Sequence, residues 1–225
     1  MDCDDEGFTA LLNAAVWQTN TKIFELLIDA GANINAKTKD GNNLFHNAAL
    51  NKEEIIAKYI SVGFNTSDVN NAGDTCLEKV LLEGQSSEVL KVFLNKMKLE
   101  HIFLACLNNN PEILNLLIKY YKSTSKELLK ALVLLISSNN TQEHIKLSKL
   151  KVFINYSTPI NSFYNGKTPL MYAAEYCNST SVIKVLLEND AIITLRSTEG
   201  KTAFDYAKEN DNLIHDEVYW SLNKN

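Results

Sequence analysis

Apolar and small residues recur along the chain in a pattern typical of paired helices. In each pair, the first segment carries two adjacent alanines or similar residues, and the second carries two adjacent leucines. The alanine pairs are Ala14-Ala15, Ala48-Ala49 and Ala173-Ala174, and the leucine pairs are Leu26-Leu27, Leu116-Leu117 and Leu186-Leu187. Small residues let neighbouring helix pairs approach closely, and leucines form an apolar face that a neighbouring pair must cover. The pattern predicts helix pairs that depend on their neighbours.

Five glycines punctuate these pairs at a nearly constant spacing. They stand at positions 7, 41, 73, 166 and 200, with gaps of 34, 32, 93 and 34 residues, and 93 is close to three gaps of 31. The residues after them align as Gly7-Phe-Thr-Ala-Leu11, Gly41-Asn-Asn-Leu-Phe-His46, Gly73-Asp-Thr-Cys-Leu77, Gly166-Lys-Thr-Pro-Leu170 and Gly200-Lys-Thr-Ala-Phe204. A second register agrees, since Gly31, Gly63 and Asp190 each precede the next repeat glycine by ten residues. The chain holds about seven repeats.

These segments, together with Ile23-Phe-Glu-Leu-Leu-Ile-Asp-Ala-Gly-Ala-Asn-Ile-Asn35, resemble the ankyrin repeat family and its T-P-L-H-x-A signature. The resemblance implies an all-α solenoid of about seven helix-turn-helix repeats with short β-hairpin turns, forming a single domain over residues 1–225. Thr9, Thr75, Thr168 and Thr202 stand where a threonine caps the first helix. Long turns are expected near 33–43, 65–75, 158–168 and 192–202.

The middle of the chain departs from this pattern. Lys98 replaces the turn glycine and lies only 25 residues after Gly73, which predicts no long turn near 95–100 or 122–127. The next unit is a helix from about Ser125 to Ile136, a polar stretch over 137–142, and a second helix to about Asn155. We expect regular repeats over about 4–98, degenerate repeats without hairpin fingers over about 99–164, and a regular repeat with a C-terminal cap over about 165–225. A separate helical bundle in the middle is the alternative.

Composition narrows the classes of function. The 225 residues are 45% hydrophobic and 22% charged, which is typical of a soluble globular chain. The net charge is −5 and only one of the 22 basic residues is arginine, so a nucleic-acid surface is not expected. Apolar runs are too short to span a membrane. The four widely spaced cysteines form no disulfide framework, which favours a reducing, cytoplasmic location in the source cell or a host cell.

The sequence contains no constellation for catalysis. His46, His101, His144 and His215 have no partner at metal-ligand spacing, and no phosphate loop, nucleophile elbow or zinc-protease motif is present. The resemblance gives His46 a structural role in hydrogen bonds between repeats, and it makes Cys106 and Cys177 buried small residues. We therefore expect no enzyme activity, no cofactor and no metal.

Function is implied by the resemblance, because ankyrin repeats bind other proteins through hairpin tips and the exposed side of the first helices. The partner-binding residues expected on this basis are Phe8, Trp17, Lys39, Asp40, Asn42, Asn51, Asn71, Asp74, Tyr164, Lys167, Tyr176 and Lys201. Asn210 also occupies a variable contact position. Trp17 is the expected N-terminal anchor, and Tyr164 with Tyr176 the C-terminal pair, since exposed aromatic residues commonly act as hot spots.

Two other interpretations stay open. The chain is alternatively a structural or regulatory segment of a larger multidomain protein, such as a host-directed effector, whose catalytic part lies elsewhere. The first repeat has no polar cap before Ile23, Phe24 and Leu27, which motivates this reading and also self-association through that repeat. An enzyme in its own right is the third reading. The partner is expected to be a protein, not a nucleic acid or a membrane.

Overall fold

The structure is a computed structural model that describes residues 3–17, 20–48, 67–83, 87–91, 93, 100–121, 123–138 and 141–223. Its regular secondary structure is α-helical. Within the described residues, β-structure is limited to two isolated bridges, Val69 with Thr75 and Tyr164 with Lys167. None of the helices described is long and apolar enough to cross a membrane. The prediction of an all-α chain is confirmed.

Thirteen helices are described. They are α1 (Ala10–Trp17), α2 (Thr21–Asp29), α3 (Leu44–Ala48), α4 (Cys76–Glu83), α5 (Ser87–Lys91), α6 (His101–Leu107), α7 (Pro111–Tyr121), α8 (Ser125–Ser137), α9 (Glu143–Asn155), α10 (Pro169–Tyr176), α11 (Ser181–Glu188), α12 (Ala203–Glu209) and α13 (Glu217–Ser221). The short α13 was not expected from the sequence. Asp216 caps it by accepting hydrogen bonds from the backbone N–H groups of Val218 and Tyr219.

The chain forms two compact units, Met1–Leu116 and Leu117–Asn225. In the first unit, α1 packs on α2 and α3, and α4 packs on α3, α5 and α6. Its core is formed by buried side chains that include Leu11, Leu12, Phe24, Leu44, Phe45, Leu81, Leu90 and Phe93. Successive first helices therefore stack on one another, as the alanine pairs predict.

The second unit repeats this stacking. Helix α10 packs on α8, α11 and α12, and α9 packs on α8 and α11. Its buried side chains include Leu132, Leu135, Ile136, Leu150, Phe153, Leu170, Ile183 and Leu186. The fifth helix pair has the bounds that the sequence predicts, because α8 ends at Ser137 and α9 begins at Glu143.

All four predicted cap threonines bind the first turn of their helices. The hydroxyls of Thr168 and Thr202 accept from the third helical N–H groups, and those of Thr9 and Thr75 accept likewise from Leu12 and Glu78. Pro169 follows Thr168 at a position where a helix needs no N–H donor. The residues after each repeat glycine thus start the first helix.

The four expected turns lie at the glycines. Gly41 has φ 77°, and an added Cβ would lie 2.5 Å from Asn71 Oδ1 in the next turn, so its place requires glycine. The turn before Gly200 is closed by Ser197 donating to the carbonyl of Lys201. Asp190 takes the left-handed φ of 66° where the first unit has Gly31 at 84°. Only three residues separate α7 from α8, which excludes a long turn there, as predicted, whereas residues 94–99 lie outside the described part.

Candidate protein-binding surface

In the first unit, the hairpin tips are joined by backbone and amide hydrogen bonds. Lys39 N donates to Glu6 O at 2.9 Å, and Asn71 N donates to Asp40 O at 2.9 Å. The side-chain amide of Asn71 also donates to Lys39 O at 2.8 Å. The side chains of Lys39 and Asp40 are exposed, so these expected contact residues are accessible while their backbones hold the tips together.

Other expected contact residues of this unit serve the link between repeats. Asn42 Oδ1 accepts from Asn70 Nδ2 at 3.0 Å, and the carbonyl oxygen of Asp74 lies 2.9 Å from His46 Nε2. Asn42 and Asp74 are half-buried, as is Phe8. Asn51 lies outside the described residues. Apart from Trp17, the accessible contact positions in this unit are Lys39, Asp40 and Asn71.

His46 has the structural role expected for it. The ring is fully buried, its Nδ1 lies 2.6 Å from Asn43 Oδ1, and its Nε2 faces Asp74 O in the next turn. Burial lowers the pKa of His46, because removing the ring from water disfavours its charged form. The ring therefore acts as a neutral hydrogen-bonding link and is inaccessible to a substrate.

Trp17 is the most exposed large apolar side chain of the first unit described. It is the last residue of α1 and 75% of its surface is exposed. The residues that bury α1 are Leu11, Leu12, Ala14 and Ala15. The indole therefore stands away from the core, and removing it costs no core packing.

In the second unit, lysines, tyrosines and glutamates form a connected set. Lys167 Nζ donates to both carboxylate oxygens of Glu175, at 2.7 and 2.9 Å, and lies 4.4 Å from the ring centre of Tyr206 in the next repeat. Lys201 Nζ donates to Glu209 at 2.8 Å and lies 5.4 Å from the same ring. The pKa of Lys167 is raised, because the hydrogen bond and charge of Glu175 outweigh the opposing effect of burial. Both expected contact lysines are thus paired within the chain.

This set was missed at the level of the sequence, although a signal for it exists. Residues 166–175 read GKTPLMYAAE and residues 200–209 read GKTAFDYAKE, so lysine, tyrosine and glutamate recur at the same three positions. The lysine and the glutamate belong to the same repeat, whereas the contact with Tyr206 reaches the following repeat. Only the first relation is visible in a single repeat.

The two tyrosines of the expected C-terminal pair differ in exposure. Tyr176 ends α10, is 42% exposed, and stacks on Tyr172 with ring centres 6.2 Å apart. The carbonyl of Tyr164 accepts from the Tyr172 hydroxyl at 3.1 Å, and Tyr164 itself is half-buried. Tyr172 therefore connects the two predicted residues.

Asn210 is not a contact residue, and that prediction is wrong. It is buried, and its side-chain amide donates to Ala174 O at 3.0 Å and to Cys177 O at 2.8 Å. The amide satisfies carbonyls at the end of the preceding first helix, which would otherwise be buried without donors. Register alone placed Asn210 on the surface, because the same position in the preceding repeat is the exposed Tyr176.

Two of the candidate cysteines lie in the core. Cys106 and Cys177 are buried, as predicted, and burial raises the pKa of the Cys177 thiol. Among the described residues, no group of three His, Cys, Asp or Glu side chains is placed to hold a metal ion.

Comparison with known families agrees with this geometry. A family model for ankyrin repeats in three copies matches residues 102–197 and 146–217, and a single ankyrin repeat model matches residues 6–39. The matches cover more than half of the chain, including its irregular middle. The chain belongs to the ankyrin repeat family. Domains of this fold are generally non-catalytic modules of protein–protein interaction.

Two relatives share part of the sequence. A probable serine/threonine-protein kinase of Dictyostelium discoideum is 36% identical over 85 residues, which are 36% of this chain and 9% of that protein. A fowlpox virus (strain NVSL) protein, named for its ankyrin repeats, is 30% identical over 92 residues, which are 40% of this chain and 21% of that protein. The matched parts are therefore small fractions of these relatives.

Solved structures show the same fold over nearly the whole chain. The human ASB11 ankyrin repeat domain has a TM-score of 0.69 at 20% identity, covering 96% of both chains. The ankyrin repeat domain of Bcl-3, a member of the IkappaB family, has a TM-score of 0.65 at 15% identity, covering 98% of this chain and all of that one. The expected ankyrin-type solenoid is confirmed.

Proposed function

We propose that this chain is a non-catalytic module that binds a partner protein through its hairpin tips and the exposed ends of its first helices. One observation carries the proposal. One repeat in each of the two compact units holds an exposed aromatic side chain ten residues after its repeat glycine, Trp17 after Gly7 and Tyr176 after Gly166. Aromatic side chains that stand free of the core can supply binding energy without loss of fold stability.

The accessible tip residues extend this surface. Lys39, Asp40 and Asn71 border it in the first unit, with Phe8, Asn42 and Asp74 as half-buried neighbours. Tyr164, Lys167 and Lys201 border it in the second, where the lysines are paired with glutamates. Paired charges contribute to specificity more than to affinity, because a partner must replace the existing pairs.

The test compares two tryptophans. A partner is isolated by capture on the intact chain, and its affinity is then measured for Trp17→Ala and for Trp220→Ala. Trp220 is 56% exposed on α13, and its ring contacts are Phe204, His215 and Tyr219, none of which is a proposed contact residue, so it provides a matched control. We expect Trp17→Ala to weaken binding by about 2 kcal/mol or more with a nearly unchanged melting temperature, and Trp220→Ala to leave affinity unchanged.

If Trp17→Ala lowers the melting temperature by many degrees and leaves affinity intact, Trp17 is a core residue and its proposed binding role is wrong. A double substitution of Tyr164 and Tyr176 by alanine tests the second unit, with exposed Tyr120→Ala as its control. Unchanged affinity in the double variant would confine recognition to the N-terminal repeats or to the irregular middle of the chain.

A second candidate function is regulation within a larger polypeptide. It is favoured by the relatives, because the matched residues are 9% and 21% of their lengths. In that case the surface holds another domain of the same protein, whether in the source cell or in a host. Hydrogen exchange of the backbone around Trp17 distinguishes the two candidate functions when it is measured in the protein made from the full open reading frame and in this chain alone. An intramolecular partner protects this site without added protein.

A further inference from the structure

A pocket of about 190 Å³ lies in the second unit beside Tyr176. Its walls come from the end of α8, the start of α9, and the loop from α10 to α11, and its lining includes Ser138, Thr141, Lys146, Tyr176 and Ser179. Ser138 and Thr141, which lie between α8 and α9, form one side. The pocket thus results from the irregular helix pair that the sequence singles out and the proposed surface does not use.

Lys146 places a positive charge in this pocket. The residue is only 8% exposed, and its Nζ donates to Ile136 O at 2.9 Å and to Ser138 O at 2.7 Å. These carbonyls lie at the C-terminal end of α8, which favours a cation. An ammonium has three N–H donors, so one remains beyond the two bonds found in the described part of the chain.

Hydroxyl groups also line the pocket. Ser138 Oγ and Thr141 Oγ1 lie 3.2 Å apart and share one hydrogen bond, which leaves one of their two protons for a ligand, while the Ser179 hydroxyl donates to Glu143. Burial raises the pKa of Cys177, so the thiol at the wall stays neutral and adds no negative charge. The group that such a pocket satisfies best is a compact hydrogen-bond acceptor with negative charge.

Glu143 is the charge that opposes this assignment. Its carboxylate accepts a hydrogen bond from Ser179, and the hydrogen bonds from Ser179 and Ser181 lower its pKa. The residue is exposed, however, whereas Lys146 is buried. Water and salt screen the exposed charge more strongly than the buried one, so a ligand in the pocket meets the charge of Lys146 with less screening than that of Glu143.

We propose that this pocket receives the carboxylate of an aspartate or glutamate side chain of the partner protein, bound by Lys146 and the hydroxyls of Ser138 and Thr141. Tyr176 at the rim contacts the adjoining part of the same partner segment. The proposal rests on the proposed function for its partner. It can nevertheless be tested on the chain alone, because a small carboxylate tests the pocket without any partner.

The probe is N-acetyl-glutamate N-methylamide, and its neutral match is N-acetyl-glutamine N-methylamide. Each is titrated into ¹⁵N-labelled chain at low salt while amide shifts are followed. The glutamate probe is expected to move the signals of Thr141, Lys146 and Ser179 saturably. The glutamine probe is expected to bind at least about fivefold more weakly. Added salt should weaken the binding of the glutamate probe. Non-saturable shifts, or equal binding of the two probes, would overturn the proposal.

Substitutions locate the charge. Lys146→Met should reduce glutamate-probe affinity at least about tenfold, whereas Lys151→Met, an exposed lysine of the same helix, should leave it unchanged. Glu143→Gln should increase affinity about threefold by removing the opposing charge. Since Lys146 also holds the end of α8, Thr141→Val is the variant to use if Lys146→Met does not fold, and about threefold weaker binding is expected from it.

An arginine probe distinguishes the opposite chemistry. If N-acetyl-arginine N-methylamide binds more tightly than the glutamate probe, and Glu143→Gln weakens it, Glu143 rather than Lys146 controls the pocket and the proposal is wrong. Failure here leaves the Trp17 comparison unaffected. Conversely, loss of the Trp17 effect leaves probe binding at Lys146 intact, so the two results can be separated.

Discussion

Neighbouring repeats of the first unit are joined by amide and imidazole groups and by one exposed lysine–aspartate pair, Lys37 with Asp68 at 4.0 Å, whereas those of the second are joined also by a lysine–aromatic contact. In the first unit, Asn70 donates to Asn42, Asn71 donates to Lys39 O, and His46 meets Asp74 O. In the second, the Lys167 ammonium faces the Tyr206 ring of the next repeat. Both units use the same glycine turns and threonine caps.

The difference shows that the repeat frame and the links between repeats are set by different residues. The frame depends on a few positions around each glycine, which are alike in both units. The links depend on side chains that vary from repeat to repeat. The first unit contains the buried His46 link, which responds to pH, and the second contains the least exposed of the ion pairs described, Lys167–Glu175, which responds to salt, so the two units should differ in what destabilises them.

The two tryptophans report on the units separately. Trp17 belongs to the first unit and Trp220 to the second, and replacing either by phenylalanine leaves one reporter. Unfolding followed by each reporter therefore measures the effect of a substitution on each unit. If the two reporters always give one transition, the units unfold together and the comparison applies only to the whole chain.

The largest effect is expected from His46→Ala, read by Trp17. The substitution removes a fully buried ring and its bond to Asp74 O, so we expect a loss of about 3 kcal/mol in the free energy of unfolding. Because burial lowers the pKa of His46, the unfolded chain binds the proton first, and stability should fall as the pH drops below about 6.5. The variant should lack that decline.

Its control is His144→Ala, since His144 is exposed on α9. Denaturant titrations at several pH values measure both variants. A loss of less than 1 kcal/mol for His46→Ala, about that of an ordinary exposed site, would contradict the role of the ring as a link.

Asn210→Ala is expected to have the next largest effect, read by Trp220. It leaves the carbonyls of Ala174 and Cys177 without their side-chain donor, at a cost of about 2 kcal/mol. The matched control is the exposed Asn212→Ala. Equal melting temperatures for the two variants would show that the hydrogen bonds of Asn210 do not stabilise the fold.

The misplacement of Asn210 illustrates what the sequence could and could not predict. The glycine spacing predicts the turns, and the polar stretch over 137–142 predicts the ends of α8 and α9, because these features are local in the chain. Whether a polar residue at a given register faces water depends on the next repeat. Asn210 and Lys146 are both buried because carbonyl groups at helix ends accept from them. Such distant partners leave no mark in the local pattern.

The Lys167–Glu175 pair should contribute about 1 kcal/mol or less. Its side chains are 16% and 28% exposed, so the pair is less screened than Lys201–Glu209, at 35% and 58%. A double-mutant cycle with Lys167→Met and Glu175→Gln measures the coupling, which should shrink in high salt. The same cycle at Lys201 and Glu209 should give no measurable coupling. Equal coupling at both pairs would mean that burial does not decide their strength.

The smallest effect at neutral pH is expected from Asp216→Asn, which sharpens the comparison by its pH dependence. Hydrogen bonds from Thr180 and from the N–H groups that begin α13 lower the pKa of Asp216. A lowered pKa in the folded chain gives stability that is present above the ordinary aspartate value and is lost as the pH falls below about 3.9. Asparagine still accepts at the cap, so at pH 7 the variant should lose less than about 0.5 kcal/mol.

Below pH 4 the native chain should lose stability faster than the variant, as read by Trp220, while exposed Asp211→Asn should follow the native chain. The second unit would then weaken only in acid, well below the range in which His46 acts on the first, and coincident acid transitions in the two units would contradict that separation.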